Sequence, residues 1–348
     1  MLGLIKGMAV ARKDHSDCSG CSLCLLVCPV WRRTRDISLT PHGRAKALQN
    51  GANATDIAAS VDSCTLCMAC EPVCPENIGL TGLLLDLRRQ LAATLPAPRA
   101  GMLETPVQPS AMPSSASTLL LPDRHLRDST DLLLRVASLL GAGGSIPVSA
   151  DDGSDIALAL EAGVDLPARR LERFLDPLRR LKKVIVADGL LLRHLRGCLP
   201  GLKLLGLGEA LSAVPAVRRG LRYGDLYVIE SRAYHSDYER LVKYYDQLRA
   251  ARGCELNLDL QRIAIPAIAR GLSQRLGLIA PDDDAPQGRW LLQGRNFQRI
   301  VVESLEEGAA LEKLTDIPVV HLATVAAVAK GGVLSPVRAP AGSMDEAR

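Results

Sequence analysis

The chain has 348 residues, a net charge of +4, 47% hydrophobic residues and 23% charged ones. That balance describes a folded globular chain with enough residues for one large core or two unequal domains, and it excludes intrinsic disorder. The charge is too mild to announce nucleic acid, no apolar run reaches the ~18 residues of a membrane span, and "MLGLIKGMAV" is too short and glycine-rich for a secretory core. The expectation is a soluble cytoplasmic protein, or one peripheral to a membrane, whose ten cysteines ligate metal instead of forming disulfides.

The first informative stretch is "CSGCSLCLLVCP", Cys18 to Pro29, and "CTLCMACEPVCP", Cys64 to Pro75, repeats its spacing. Thiolates at i, i+3 and i+6 can wrap three corners of an iron–sulfur cubane, because two-residue spacers let successive sulfurs reach adjacent irons. In the two-cluster ferredoxin pattern the fourth cysteine, followed by proline, ligates the other cluster. That pattern gives two 4Fe–4S clusters, one held by Cys18, Cys21, Cys24 and Cys74, the other by Cys64, Cys67, Cys70 and Cys28. Structural zinc is the competing reading, but it leaves two cysteines of each quartet spare and does not account for the repeated proline. Arg32, Arg33 and Arg35 follow the first motif, either as cations that tune a cluster or meet an acidic partner, or as a solvated loop face.

Thirty-four residues separate Pro29 from Cys64, with helix-like segments at "GRAKALQ" and "TDIAASV". After Pro75, "NIGLTGLLLDLRRQLAA" places Leu80, Leu83, Leu84, Leu87 and Leu91 on one helical face. Residues 1–95 therefore read as a mainly helical module.

The paired motifs, their wide separation and the leucine-rich helix after them resemble the iron–sulfur subunits of the heterodisulfide reductase and glycolate oxidase family, over roughly residues 10–95. The resemblance implies a helical ferredoxin module that relays electrons between a flavoprotein and a further acceptor. It also implies two tandem lobes carrying Cys-Cys-Gly elements.

Residues 96–117, rich in Pro, Ala and Ser, read as a linker. Beyond them "TLLLP", "KKVIVAD", "DLYVIES" and "RIVVES" alternate with helical runs, which predicts α/β layers with mostly parallel strands. The pattern repeats. "LLLPDRHLRD" from Leu119 aligns with "YVIESRAYHSD" from Tyr227, setting Arg124 on Arg232, and "VIVADGLLLRHL" from Val184 matches "IVVESLEEGAAL" from Ile300. The expected fold is α+β and multidomain: the helical dicluster ferredoxin module, two tandem α/β lobes at 118–216 and 220–330, and a tail at 331–348.

The lobes depart from the family pattern. The chain has no adjacent cysteines, "ADGLL" and "ESLEE" stand where a Cys-x-x-Cys would often follow the strand, and "AYHSDY" lacks a cysteine near its His-Asp pair. Cys198 and Cys254 cannot alone ligate another cluster and read as ordinary thiols. Tyr234, Tyr238, Leu241, Tyr245 and Leu248 predict one amphipathic helix, whose stripe faces either the core or a partner. "ARRLERFLDPLRRLKK", with seven basic residues against two acidic, reads as a solvated face or a docking surface. "GAGGS" follows a helical run, so it reads as a helix stop and not a pyrophosphate cradle; the six scattered histidines read as structural.

These features predict an electron-transfer iron–sulfur subunit with no catalytic residue of its own. Its expected partners in a hetero-oligomer are a flavin-dependent dehydrogenase subunit and an acceptor: an electron-transfer flavoprotein, a quinone or another carrier. Two alternatives stay open, a disulfide or quinone reductase with its site in the lobes, and an iron–sulfur redox sensor or structural protein.

Overall fold

The computed structural model describes residues 13–94, 117–141, 143–280 and 284–326. The expected linker, apart from residue 117, and the expected tail lie outside the described residues.

In the N-terminal module helices grow directly out of the cysteine motifs. Helix α1 (Leu23–Leu26) starts inside the first motif, and α2 (Pro29–Thr34) takes Cys28 as its N-cap residue. Pro29 then falls in the first turn, where its missing N–H would have had no helical partner. The segment between the motifs supplies α3 (Pro41–Gln49), whose cap Thr40 accepts from the Gly43 N–H, and α4 (Ala58–Ser63). The two predicted helical segments fall on α3 and α4, although a turn fills Ala54–Ile57 before α4 begins. Helix α5 (Leu80–Thr94) turns Leu84 and Leu87 into a core with Val61, Leu66 and Met68, as the leucine spacing predicts.

The described residues from 117 onward are a mixture of helices and parallel strands. One sheet has the order β1-β2-β3, from β1 (Thr118–Leu121), β2 (Lys183–Val186) and β3 (Lys203–Gly206). The other has the order β5-β4-β6-β7, from β4 (Asp225–Val228), β5 (Glu255–Leu256), β6 (Arg299–Val302) and β7 (Val319–His321). Every pairing between these strands is parallel. The side chains of β1, β2, β4 and β6 are buried beyond the first residue, which is why these strands read as continuous apolar runs without alternation. The sheets share a layout: Val148 bridges Leu120 in parallel beside β1, as β5 pairs beside β4 in the second sheet.

The helices that follow the strands are α6 (Arg124–Asp128), α7 (Thr130–Leu140), α8 (Ser154–Ala162), α9 (Ala168–Leu178), α10 (Gly189–Cys198), α11 (Leu207–Ser212), α12 (Pro215–Gly220), α13 (Ser231–His235), α14 (Tyr238–Arg252), α15 (Leu272–Arg275), α16 (Ala285–Leu292) and α17 (Leu305–Glu312). After β1, β2, β4 and β6 the helix cap stands two residues beyond the strand: Asp123, Asp188, Glu230 and Ser304 each accept from a backbone N–H of the first turn. Asp123 is thus the counterpart of Glu230. The correspondence runs one residue away from the alignment of Arg124 with Arg232, because the cap, and not the arginine, fixes where each helix starts.

One apolar cluster joins Leu120 and Ile185 of the first sheet to Tyr227 and Val301 of the second. The tyrosine stripe belongs to this core, but not as one helix. Tyr234 ends up on α13 and Tyr245 on α14, with a break at Ser236–Asp237. Tyr227 and Tyr245 both donate to the buried Glu303 carboxylate. The basic stretch is likewise not uniformly solvated, since Arg170 on α9 turns inward to Asp151 and Asp155. Gly141 caps α7, as the helix-stop reading has it.

The module packs onto the lobes where α5 crosses α8. Gly163, the C-cap of α8, has φ +71°, and a Cβ there would lie 2.4 Å from the Arg88 carbonyl carbon. Gly163→Ala is therefore expected to lower the unfolding free energy by about 2–4 kcal/mol, read from denaturant unfolding. Gly277→Ala is the control: φ is +67° but the space is open, so it should cost only about 1 kcal/mol.

Candidate metal centre

The two cysteine motifs share a backbone path that their sequences do not. In "CSGCSLC" the left-handed residues are Gly20 (φ +80°) and Ser22 (φ +64°); in "CTLCMAC" they are Leu66 (φ +51°) and Met68 (φ +63°). These are the same two places, the second residue of the first spacer and the first residue of the second. A loop of alternating hand turns successive N–H groups to its concave side, an arrangement that holds anions. Leu66 and Met68 are fully buried non-glycine residues in this conformation, at a cost of about 1–3 kcal/mol each, so the surrounding structure must hold them there.

The first motif is held by α3. Lys46 Nζ donates to the Cys18 carbonyl at 2.9 Å and Gln49 Nε2 to the same oxygen at 3.0 Å. The second is held from three directions. Arg88 on α5 donates to the Cys64 carbonyl at 2.7 Å, Arg232 on α13 donates to Thr65 at 3.0 Å, and His235 Nδ1 lies 2.7 Å from the Cys67 carbonyl. The His235 Nε2 accepts from the Ala264 N–H, so the ring is neutral with its proton on Nδ1; burial holds its pKa down at about 4. Glu161 on α8 joins the clamp, accepting from Arg232 at 2.8 Å and 3.1 Å, while its carbonyl accepts from Arg88.

The thiols fall into two groups. Cys18, Cys21, Cys24 and Cys74 line one void between the first motif and α3. Cys28 lies within electrostatic reach of Cys64 and Cys67, and Cys70 within reach of the same pair. Cysteines of both motifs meet in each place, and Cys24 also lies within electrostatic reach of Cys70. Burial and then the neighbouring thiols push Cys24 up to about 11, and burial above all pushes Cys28 up to about 12. Such thiols keep their protons until a metal cation replaces them. Among the described residues no three His, Cys, Asp or Glu side chains converge to hold a single metal ion. Thiols spread around a shared void suit a cubane, in which each iron takes one.

The groups differ in exposure. Cys21 is exposed and sits beside the exposed side chains of Leu23 and Leu26, whereas Cys28 is buried. Arg32 lies within electrostatic reach of the Cys28 thiol and stacks 3.6 Å over the Trp290 ring, and Arg33 donates to the Ala269 carbonyl. They fasten the module to the second lobe. Cys254 is buried in the core between the sheets, and Cys198 stands at a separate apolar cluster beside His194, so the structure does not bring these two thiols together.

Sequence reading finds the eight cysteines but not their supports. Arg88, Glu161, Arg232 and His235 act across long sequence separations, and nothing local marks them. Gly20 could have signalled a left-handed turn; Leu66 and Met68 could not.

Residues 14–78 match the family model described as a 4Fe-4S dicluster domain. The segment that carries both motifs is an iron–sulfur, ferredoxin-like module for 4Fe–4S centres. No curated protein and no solved structure matches the chain. Among the described residues no helix is long and apolar enough to cross a membrane.

Proposed function

We propose that the chain is an electron-transfer subunit with two 4Fe–4S centres. Cys18, Cys21, Cys24 and Cys74 would hold one; Cys28, Cys64, Cys67 and Cys70 would hold the other. The observation that carries this reading is the shared left-handed path of the two motifs around crossed groups of four thiols. Bound there, such centres supply one-electron transfer at potentials set by nearby charge and hydrogen bonding. The chain's own residues do the rest. Arg88 and Arg232 place positive charge behind the second motif, which favours the more negative, reduced state. Buried Cys28 and the buried Leu66, Met68 and Ala69 of the second motif limit water there, while the exposed rim of Cys21, Leu23 and Leu26 is the face that meets a partner.

The partners proposed are a cytoplasmic flavin-dependent dehydrogenase subunit as donor, and as acceptor an electron-transfer flavoprotein, a quinone or another carrier. The resemblance to the heterodisulfide reductase and glycolate oxidase family supports this assignment. A disulfide-reducing site in the lobes is not favoured, since Cys198 and Cys254 stand apart. Anaerobic reductive titration of the holoprotein tests the reading. Uptake of about two electrons per chain, given up on mixing with an oxidised flavoprotein that co-purifies with it, is expected; a chain that takes up none contradicts it.

A further inference from the structure

A cavity of about 640 Å³ lies between the two sheets, within the size range of small-molecule sites. It opens at the carboxyl ends of β1, β2, β4 and β6, the place where parallel α/β sheets bind ligands. The caps Asp123, Asp188, Glu230 and Ser304 all line it, and it borders Thr65 and Cys67 of the second cysteine motif.

Its charge is unbalanced. Five arginines and nine carboxylates line it, and most of the arginines are already engaged. Arg127 pairs with Asp152, Arg232 and Arg275 with Glu161, and Arg270 with Glu306 and Asp284. Asp123, Asp188, Glu230 and Glu307 are left facing the cavity with no ion pair found among the described residues. Glu307 keeps only 7% exposure; its Oε1 accepts from the Ala267 N–H, and its Oε2 has no hydrogen-bond partner among the described residues. A buried acceptor left unmatched is costly unless it stays protonated or a donor arrives. Among the described residues the carboxylates do not converge as metal ligands do, so the fitting donor is an N–H cation.

We propose that this cavity binds a small organic molecule carrying protonated amino groups, held by Glu307 and Glu230 with Asp188 and Asp123 opposite. The site does not depend on the electron-transfer role of the cysteines. Burial first, and then the negative charge of Glu230, Glu306 and Glu303, pushes Glu307 up to about 8; burial pushes Glu230 up to about 7 against the pull of the Ala233 and Arg232 N–H groups and the Arg232 charge, with Asp188 adding a smaller push. The Ala267 N–H pulls Glu307 the other way; Arg270 pairs with Glu306 and Asp284, and Arg232 pairs with Glu161 while its charge also reaches Glu230 and Asp188. Exposed Arg124 on α6 lines the cavity too, but no ion pair or hydrogen bond is found for it among the described residues. An ammonium group would replace the missing counter-charge and displace protons from these carboxyls.

Calorimetry of the intact holoprotein with putrescine and spermidine, at physiological ionic strength, tests the site. Saturable binding is expected, with proton release near neutral pH and affinity that rises between about pH 6 and about pH 8.5, where the carboxyls ionise and the amines stay charged. Glu307→Gln, close in shape to the neutral carboxyl, should weaken binding by about tenfold or more. Asp188→Asn, which keeps a capping oxygen, should weaken it too, and serves if the first variant folds poorly. Absence of amine binding, equal binding of an uncharged diol, preferential binding of succinate, or full affinity in both variants would overturn the proposal.

Discussion

Cys74→Ser is expected to cost the centre that begins at Cys18, although Cys74 stands in the second motif. The side chain lines the void of Cys18, Cys21 and Cys24, while Cys28 lies with Cys64 and Cys67. Serine keeps the shape but is a poor ligand for iron, so bound iron should fall from about eight to about four per chain. Double variants decide the crossing. Cys18→Ser added to Cys74→Ser should remove no further iron, because both serve one centre; Cys64→Ser added to Cys74→Ser should remove nearly all of it. If the Cys64 and Cys74 double variant instead keeps as much iron as either single one, each motif holds its own centre and the crossed grouping is wrong.

The second large effect is expected at Arg232. Its guanidinium is buried and is shared between the Glu161 carboxylate and the Thr65 carbonyl. Arg232→Met leaves a buried carboxylate with Arg275 as its remaining ion-pair partner at 3.2 Å. Breaking one side of such a pair costs about 3–5 kcal/mol, whereas removing both partners is far cheaper. Arg232→Met with Glu161→Gln should therefore recover much of the stability that the single variant loses. The pH dependence has a definite sign. Burial alone would raise the Glu161 pKa, but Arg232 and then Arg275 outweigh it and hold it at about 2. A carboxyl depressed by folding contributes stability above its unfolded value of about 4.5, and that stability is lost as pH falls from there through about 2. Denaturant unfolding across this window should show a steeper acid loss in the parent chain than in the double variant; equal slopes would mean that Glu161 is not held as a charged partner.

The chemistry of the site was legible because cysteine spacing is a local property. Two-residue spacers and the proline after Cys28 have meanings that survive in any context, and the leucine period of α5 and the apolar runs of β1, β2, β4 and β6 are local in the same sense. What holds the site was not legible. Arg88 and Arg232 look like ordinary surface arginines in sequence, yet α5 and α13 deliver both to carbonyls of the second motif. The left-handed turns at Leu66 and Met68 oppose local preference, so only the fold can impose them. The aromatic spacing ran on through Ser236 and Asp237 because side-chain period carries no record of a backbone break. The alignment that set Arg124 on Arg232 matched like residues, where the caps Asp123 and Glu230 set the true correspondence.

Iron and sulfide analysis with EPR of the anaerobically purified, dithionite-reduced chain decides whether two iron–sulfur cubanes sit in these crossed thiol groups. About eight irons and eight sulfides per chain, with spectra of two reduced centres close enough to interact, is the predicted result. Zinc in place of iron, without acid-labile sulfide, would contradict it.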